Sequence, residues 1–229
     1  MLFAWEESAL AGFWFLGPQG PFVLFWLMVV EGITEAMQQG KTWVNPLAAL
    51  SFAALLASPA IAAADGPPLS GHFGEAYQVY DEPHPAPDTV FEARDGESVT
   101  MADFEGRVLV VNFWATWCAP CVEEMPTLDA LDMEISPKGA DVIAVSQDRG
   151  GREQVEPFLR DRLNLQQLGI YLDQKGELAR AFDVRGLPAT FVIDAEGQVV
   201  GRLDGPAEWN DPEVHELVEY YIEQAEAGS

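Results

Sequence analysis

Two cysteines, three histidines and twelve basic residues are few for a chain of 229 residues that carries 37 acids. Two cysteines cannot build a disulfide framework, and they fall short of the ligands a structural zinc site takes. The histidines, His72, His84 and His215, are scattered without ligand spacing. They read as surface residues, so no metal is expected. The shortage of Lys and Arg leaves a formal net charge of −25, of which residues 1–64 hold −3 and residues 65–229 hold −22. A surface this acidic repels nucleic acid and anionic lipid. The acids are spread along the chain and not gathered in one block. They therefore read as a solvated face rather than as a dock for a basic partner.

Long uninterrupted apolar runs are also scarce. The first candidate, Ala9 to Val30, is broken by Gly17-Pro18-Gln19-Gly20-Pro21. Two prolines in that stretch argue against a continuous span. Its flanks carry Glu6, Glu7, Glu31 and Glu35 and no basic residue, a poor start for a signal peptide or an inward anchor. The second candidate is better formed. Met37 to Lys41 makes a short basic region, Leu47 to Leu56 an apolar one, and Pro59-Ala60-Ile61-Ala62-Ala63-Ala64 supplies small residues in an A-x-A arrangement. The expectation is a start at Met37 and cleavage between Ala62 and Asp65, with residues 1–36 an over-extension of the reading frame. The alternative is an uncleaved anchor that tethers the domain to a membrane. Either version exports the domain to the periplasm or to the outer face of the cytoplasmic membrane, an oxidising setting. Residues 65–88 then turn rich in Pro, Gly and charge and read as an extended linker.

From residue 89 to 227 the pattern is that of one α/β domain. Thr89–Phe91 and Ser98–Thr100 flank Asp95-Gly96 and suggest a hairpin. Val108–Ala115 is a near-continuous apolar run, as in a strand buried on both faces. Cys118 to about Met133 is expected to be helical, with Pro126 kinking it. Asp141–Ser146 reads as a second buried strand. Val155, Phe158, Leu159 and Leu163 have helical spacing over 152–163. Gly169–Leu172 reads as a short strand and Glu177–Phe182 as a short helix. Thr190–Ile193 and Val199–Leu203 read as strands joined by a turn at 194–197. Asp211-Pro212 starts a last helix, with Val214, Leu217, Val218, Tyr221 and Ile222 on one face. The order β-α-β-α-β-α-β-β-α implies a mixed central sheet with helices on both faces.

The two cysteines stand together in Trp117-Cys118-Ala119-Pro120-Cys121, just after the apolar strand. A helix opening at Cys118 presents unpaired N–H groups to its sulfur and favours the thiolate. Cys118 is therefore the expected nucleophile, and Cys121, one turn on, the resolving thiol. The bland alternative is a pair of buried structural cysteines.

The run Val111-Asn112-Phe113-Trp114-Ala115-Thr116-Trp117-Cys118-Ala119-Pro120-Cys121, with Glu124, Pro126 and Gly186-Leu187-Pro188-Ala189-Thr190, resembles the thioredoxin superfamily. Within it, the chain resembles the exported TlpA/ResA-type thiol–disulfide oxidoreductases over about residues 86–225. The resemblance implies a thioredoxin-like fold, with an N-terminal β-hairpin and an inserted helix and strand at about 150–173. It implies that Pro188 is cis and leaves the backbone of Leu187 free to pair with an extended substrate. Thioredoxins proper carry a buried aspartate where Asn112 stands, and Asn112 cannot titrate. The resemblance puts Glu124 in that role as an acid–base partner of Cys121, with burial raising its pKa. The bland alternative for Glu124 is a solvated surface carboxylate. Trp117, Ala119 and Pro120 would meet the substrate; Phe113 and Trp114 read as core, and Trp209 as packing.

What the resemblance implies of function is a reductant of protein disulfides, of the cytochrome c maturation or copper-site assembly type. It would be recharged by a membrane electron-donor protein and would act as a monomer. No cofactor is expected beyond the Cys118–Cys121 pair. A peroxiredoxin would want Thr-x-x-Cys, and Thr116 stands two before Cys118, so that pattern fails. A thioredoxin-fold metal chaperone would want a histidine ligand that residues 170–200 lack. A docking module without catalysis would not need intact cysteines.

Overall fold

In a computed structural model that describes residues 66–228, the chain opens with a short helix, α1 (Gly71–Ala76), and a strand, β1 (Gln78–Pro85). Of the segment 65–88, expected to be a linker, residues 66–88 are thus part of the domain. Its polar composition has a physical reason. β1 is an edge strand, mostly exposed, and Pro83 and Pro85 need no second partner there. The signal-peptide and start-site expectations for residues 1–64 lie outside the described residues.

The next elements are the hairpin β2 (Phe91–Glu92) and β3 (Ser98–Val99), then β4 (Val108–Trp114), α2 (Ala119–Ile135) and β5 (Ala140–Ser146). They are followed by α3 (Arg152–Pro157), which passes into a π-helical turn at Phe158–Arg162, and by β6 (Tyr171–Leu172) and α4 (Glu177–Ala181). The strands β7 (Ala189–Ile193) and β8 (Gln198–Asp204) and the helix α5 (Pro212–Gly228) complete the domain. Helix α2 continues through Pro126 as far as Ile135.

The sheet order is β1-β8-β7-β4-β5-β6-β2-β3. β4 lies at its centre, parallel to β5 and antiparallel to β7. Because side chains alternate along a strand, β4 feeds two cores. Val108, Val110 and Trp114 pack with α2, α3, the π-helical turn and α5 through Met125, Leu128, Leu131, Val155, Leu159, Leu217 and Val218. Leu109, Val111 and Phe113 pack on the other face with Met101 and with Leu178 and Phe182 at α4. This is the thioredoxin-like mixed sheet with helices on both faces. Asn112 falls on the α2 face, in the middle of a strand that is otherwise apolar.

The integration of residues 66–88 has a measurable consequence. Phe73 and Tyr77 are buried and stacked at 5.6 Å, and β1 pairs with β8. A chain starting at residue 89 loses both anchors, each worth about 1.5–3 kcal/mol of buried apolar surface. Its urea midpoint is expected to fall well below that of a chain starting at residue 66. Equal midpoints would return 65–88 to the status of a linker.

Candidate active site

The site is built where β4 ends. Ala115–Trp117 turn the chain, the Cys118 N–H donates to the Ala115 carbonyl at 3.1 Å, and α2 begins at Ala119. Cys118 is the N-cap, with extended backbone, and its sulfur accepts from the Cys121 N–H at 3.4 Å. Pro120 sits in the first turn, where its missing N–H costs nothing. The two sulfurs are joined as a disulfide, with an S–S distance of 2.02 Å. They are not equivalent: Cys118 keeps 7% exposure and Cys121 has none. Only Cys118 lines the neighbouring groove of about 670 Å³, together with Trp117, Ala119, Pro120, Arg185 and Leu187. A substrate sulfur can therefore reach Cys118 and not Cys121.

The Leu187–Pro188 peptide bond is cis, as the resemblance implied, and precedes β7 directly. Leu187 forms part of the groove wall facing the cysteine loop. Trp117 stands out from the surface, 69% exposed, at the groove margin. Phe113 and Trp114 are fully buried.

Glu124 lies one turn after Cys121 on the inner face of α2, 3% exposed. Its Oε1 accepts from Asn112 Nδ2 at 2.9 Å. Its Oε2 accepts from the Ala207 N–H and from Trp209 Nε1, both at 3.0 Å. Asn112 Nδ2 also donates to Thr190 Oγ1 at 2.9 Å, which ties β4, β7 and α2 together. Burial pushes the Glu124 carboxyl above its ordinary range, and the three donors draw it partly back. The group is thus held ready to carry a proton at higher pH than a surface carboxylate. A cleft of about 260 Å³, lined by Pro120, Glu123, Glu124 and Glu208 among others, connects it to the surface.

Two contributors are not evident from the sequence. Trp209, read as packing, is indeed buried, but its indole N–H also fixes Glu124. Asp148, 1% exposed, holds the turn ahead of the cysteines. It accepts from the Thr116 N–H at 2.8 Å and Thr116 Oγ1 at 2.7 Å, and also from Ser146 Oγ and Gln154 Nε2. The available signal was position: Asp148 follows the carboxyl end of β5, beside the end of β4, where open α/β sheets place their sites. Among the described residues, no three of His, Cys, Asp and Glu gather as a metal site.

Comparison with known proteins gives this geometry a context. Residues 83–202 match the AhpC/TSA family. The chain is 32% identical over 120 residues to the thiol-disulfide oxidoreductase ResA of Bacillus thuringiensis subsp. konkukian, covering 52% of this chain and 68% of that protein. It is 33% identical over 130 residues to ResA of Geobacillus kaustophilus, covering 57% and 73%. A putative thiol:disulfide interchange protein DsbE from Chlorobium tepidum has a similar structure, with a TM-score of 0.55 at 26% identity over 62% of this chain and 98% of that one.

Proposed function

The chain belongs to the AhpC/TSA family and is a thiol–disulfide oxidoreductase of the ResA type, and from its site we propose that it is an exported reductant of protein disulfides. The observation that carries the reading is the inequality of the two sulfurs. Cys118 faces the groove with an N–H on its sulfur, and Cys121 is sealed behind it. In this reading Cys118 attacks, Cys121 resolves, and Glu124 moves the proton at Cys121. Trp117, Ala119, Pro120 and the backbone of Leu187 receive an extended substrate segment by strand addition.

A reductant must hold its electrons loosely. Cys121 is fully buried and has the Glu124 carboxyl one helical turn away on the same helix face. Nothing beyond the cysteine pair is needed as a cofactor. The segment Met37–Ala64 supports export to the periplasm, cleaved or tethered, and a membrane electron-donor protein would restore the dithiol. The substrates would be cysteine pairs of the cytochrome c maturation or copper-site assembly type, met by a monomer.

Equilibration of the protein with a thiol buffer tests the direction of electron flow. The expected midpoint lies near that of thioredoxin, about −270 mV, and below the roughly −180 mV of protein disulfide isomerase. A midpoint near the about −120 mV of DsbA would make the protein an oxidant.

A further inference from the structure

The acidity of this chain is not uniform, and one exception lies beside the cysteines. A second groove, of about 580 Å³, meets the cysteine groove at Trp117 and Gln147, which line both. Its rim carries Arg149, Lys175 and Arg180, all exposed. The only carboxylate lining it among the described residues, Asp148, is buried and committed to Thr116, Ser146 and Gln154. None of the three cations is in a salt bridge among the described residues, as is also true of Arg94, Arg160 and Arg162, whereas Arg107, Lys138, Arg152, Arg185 and Arg202 each hold an acid. Arg180 is braced instead by donating to the Lys175 carbonyl at 2.9 Å. At the junction, the Gln147 side-chain nitrogen is buried without an acceptor among the described residues. In a protein with 37 acids and 12 bases, three unpaired cations on one groove form a local reversal of sign.

We propose that this groove binds an acidic stretch of the substrate polypeptide next to its disulfide. The inference rests on the disulfide-reductant reading and adds to it what the substrate looks like. A segment whose disulfide meets Cys118 can continue past Trp117 and bring its carboxylates to Arg149, Lys175 and Arg180. The volume falls within the range of about 300–1,000 Å³ usual for ligand clefts. The global negative charge does not cancel the effect, because at about 0.15 M salt the screening length is roughly 8 Å. Acids elsewhere on the surface are then screened, while cations in contact with the segment are not.

The test uses three synthetic peptides with one intramolecular disulfide, differing only in acidic, neutral or basic residues on one flank. At about 0.15 M salt the reduced protein should turn over the acidic peptide with a kcat/KM about three- to tenfold above the neutral one, the scale of a few exposed ion pairs. The basic peptide should fall below both. At about 1 M salt, where the screening length is roughly 3 Å, the preference should collapse. Arg149→Gln with Lys175→Gln should cut the preference to what Arg180 alone sustains and leave the neutral peptide's rate unchanged. Equal rates on all three peptides, or a preference undiminished in the double variant, overturn the inference alone. A protein that reduces none of them overturns the reductant reading and the inference with it.

Discussion

Cys118→Ser abolishes disulfide exchange, a loss on the order of 10³-fold or more, because an unactivated hydroxyl replaces the only sulfur that lines the groove. Cys121→Ala stops turnover at a later point. The Cys118 thiolate still attacks the substrate disulfide; one new S–S bond forms, the substrate S–S bond breaks, and the leaving thiolate takes a proton. In the unaltered protein Cys121 then attacks Cys118, closes the internal disulfide and releases the second substrate thiol, so that two electrons pass to the substrate. Without Cys121 the mixed disulfide persists. Non-reducing electrophoresis and mass spectrometry after mixing with a disulfide peptide distinguish the variants: adduct with Cys121→Ala, none with Cys118→Ser. An adduct on Cys121 in the Cys118→Ser protein would reverse the assignment and contradict the full burial of Cys121.

Glu124→Gln is expected to slow disulfide exchange on the order of 10²-fold, the lower end of what a positioned acid–base group contributes. The substitution is a clean one for a reason the structure supplies. Glu124 accepts three hydrogen bonds, and a glutamine oxygen can keep those from Ala207 and Trp209. The new amide nitrogen would face Asn112 Nδ2, but Asn112 Oδ1 has no partner among the described residues, so turning the Asn112 amide over lets Oδ1 accept from the new amide and from the Thr190 hydroxyl, which then donates instead of accepting. The fold should therefore survive while the proton carrier is lost. The pH signature is equally specific. Burial raises the Glu124 carboxyl above its ordinary value of 4.5, so the folded state holds this proton more tightly than the unfolded chain does. The stability that follows is complete below the ordinary value and is lost as pH rises through the raised one. The urea midpoint of the unaltered protein should thus fall relative to Glu124→Gln across that window. Rates from about pH 5 to 9 with a disulfide peptide complete the test. An identical rate profile in the two proteins would take Glu124 out of the mechanism.

The legible features were those whose causes are local. Val108 to Trp114 announces a central strand because both of its faces are covered and every position can be apolar. The helix start at Cys118 follows from a strand, a short turn and a proline that fits the first helical turn. Glu124 could be placed on the inner face of α2 by counting one turn from Cys121. β1 was illegible for the converse reason. As an exposed edge strand it needs neither alternation nor a full set of N–H groups, so Gln78–Pro85 carries the composition of a linker. Asp148 and Trp209 were missed because nothing near them in the chain states their task. Asp148 lies 32 residues from Thr116, and Trp209 lies 85 from Glu124.

By itself, then, the sequence determined the redox pair, the order of the main strands and helices, and a carboxylate on the same helix face as the resolving thiol. These depend on periodicity and spacing within a few turns of chain. The tertiary structure decided which sulfur can be reached, what surrounds Glu124, what holds the turn before Cys118, and where the few basic side chains collect. Each of those is an outcome of burial or of charge proximity between distant segments. Both are set only when the sheet brings β4, β5, β7 and the loop before α5 together.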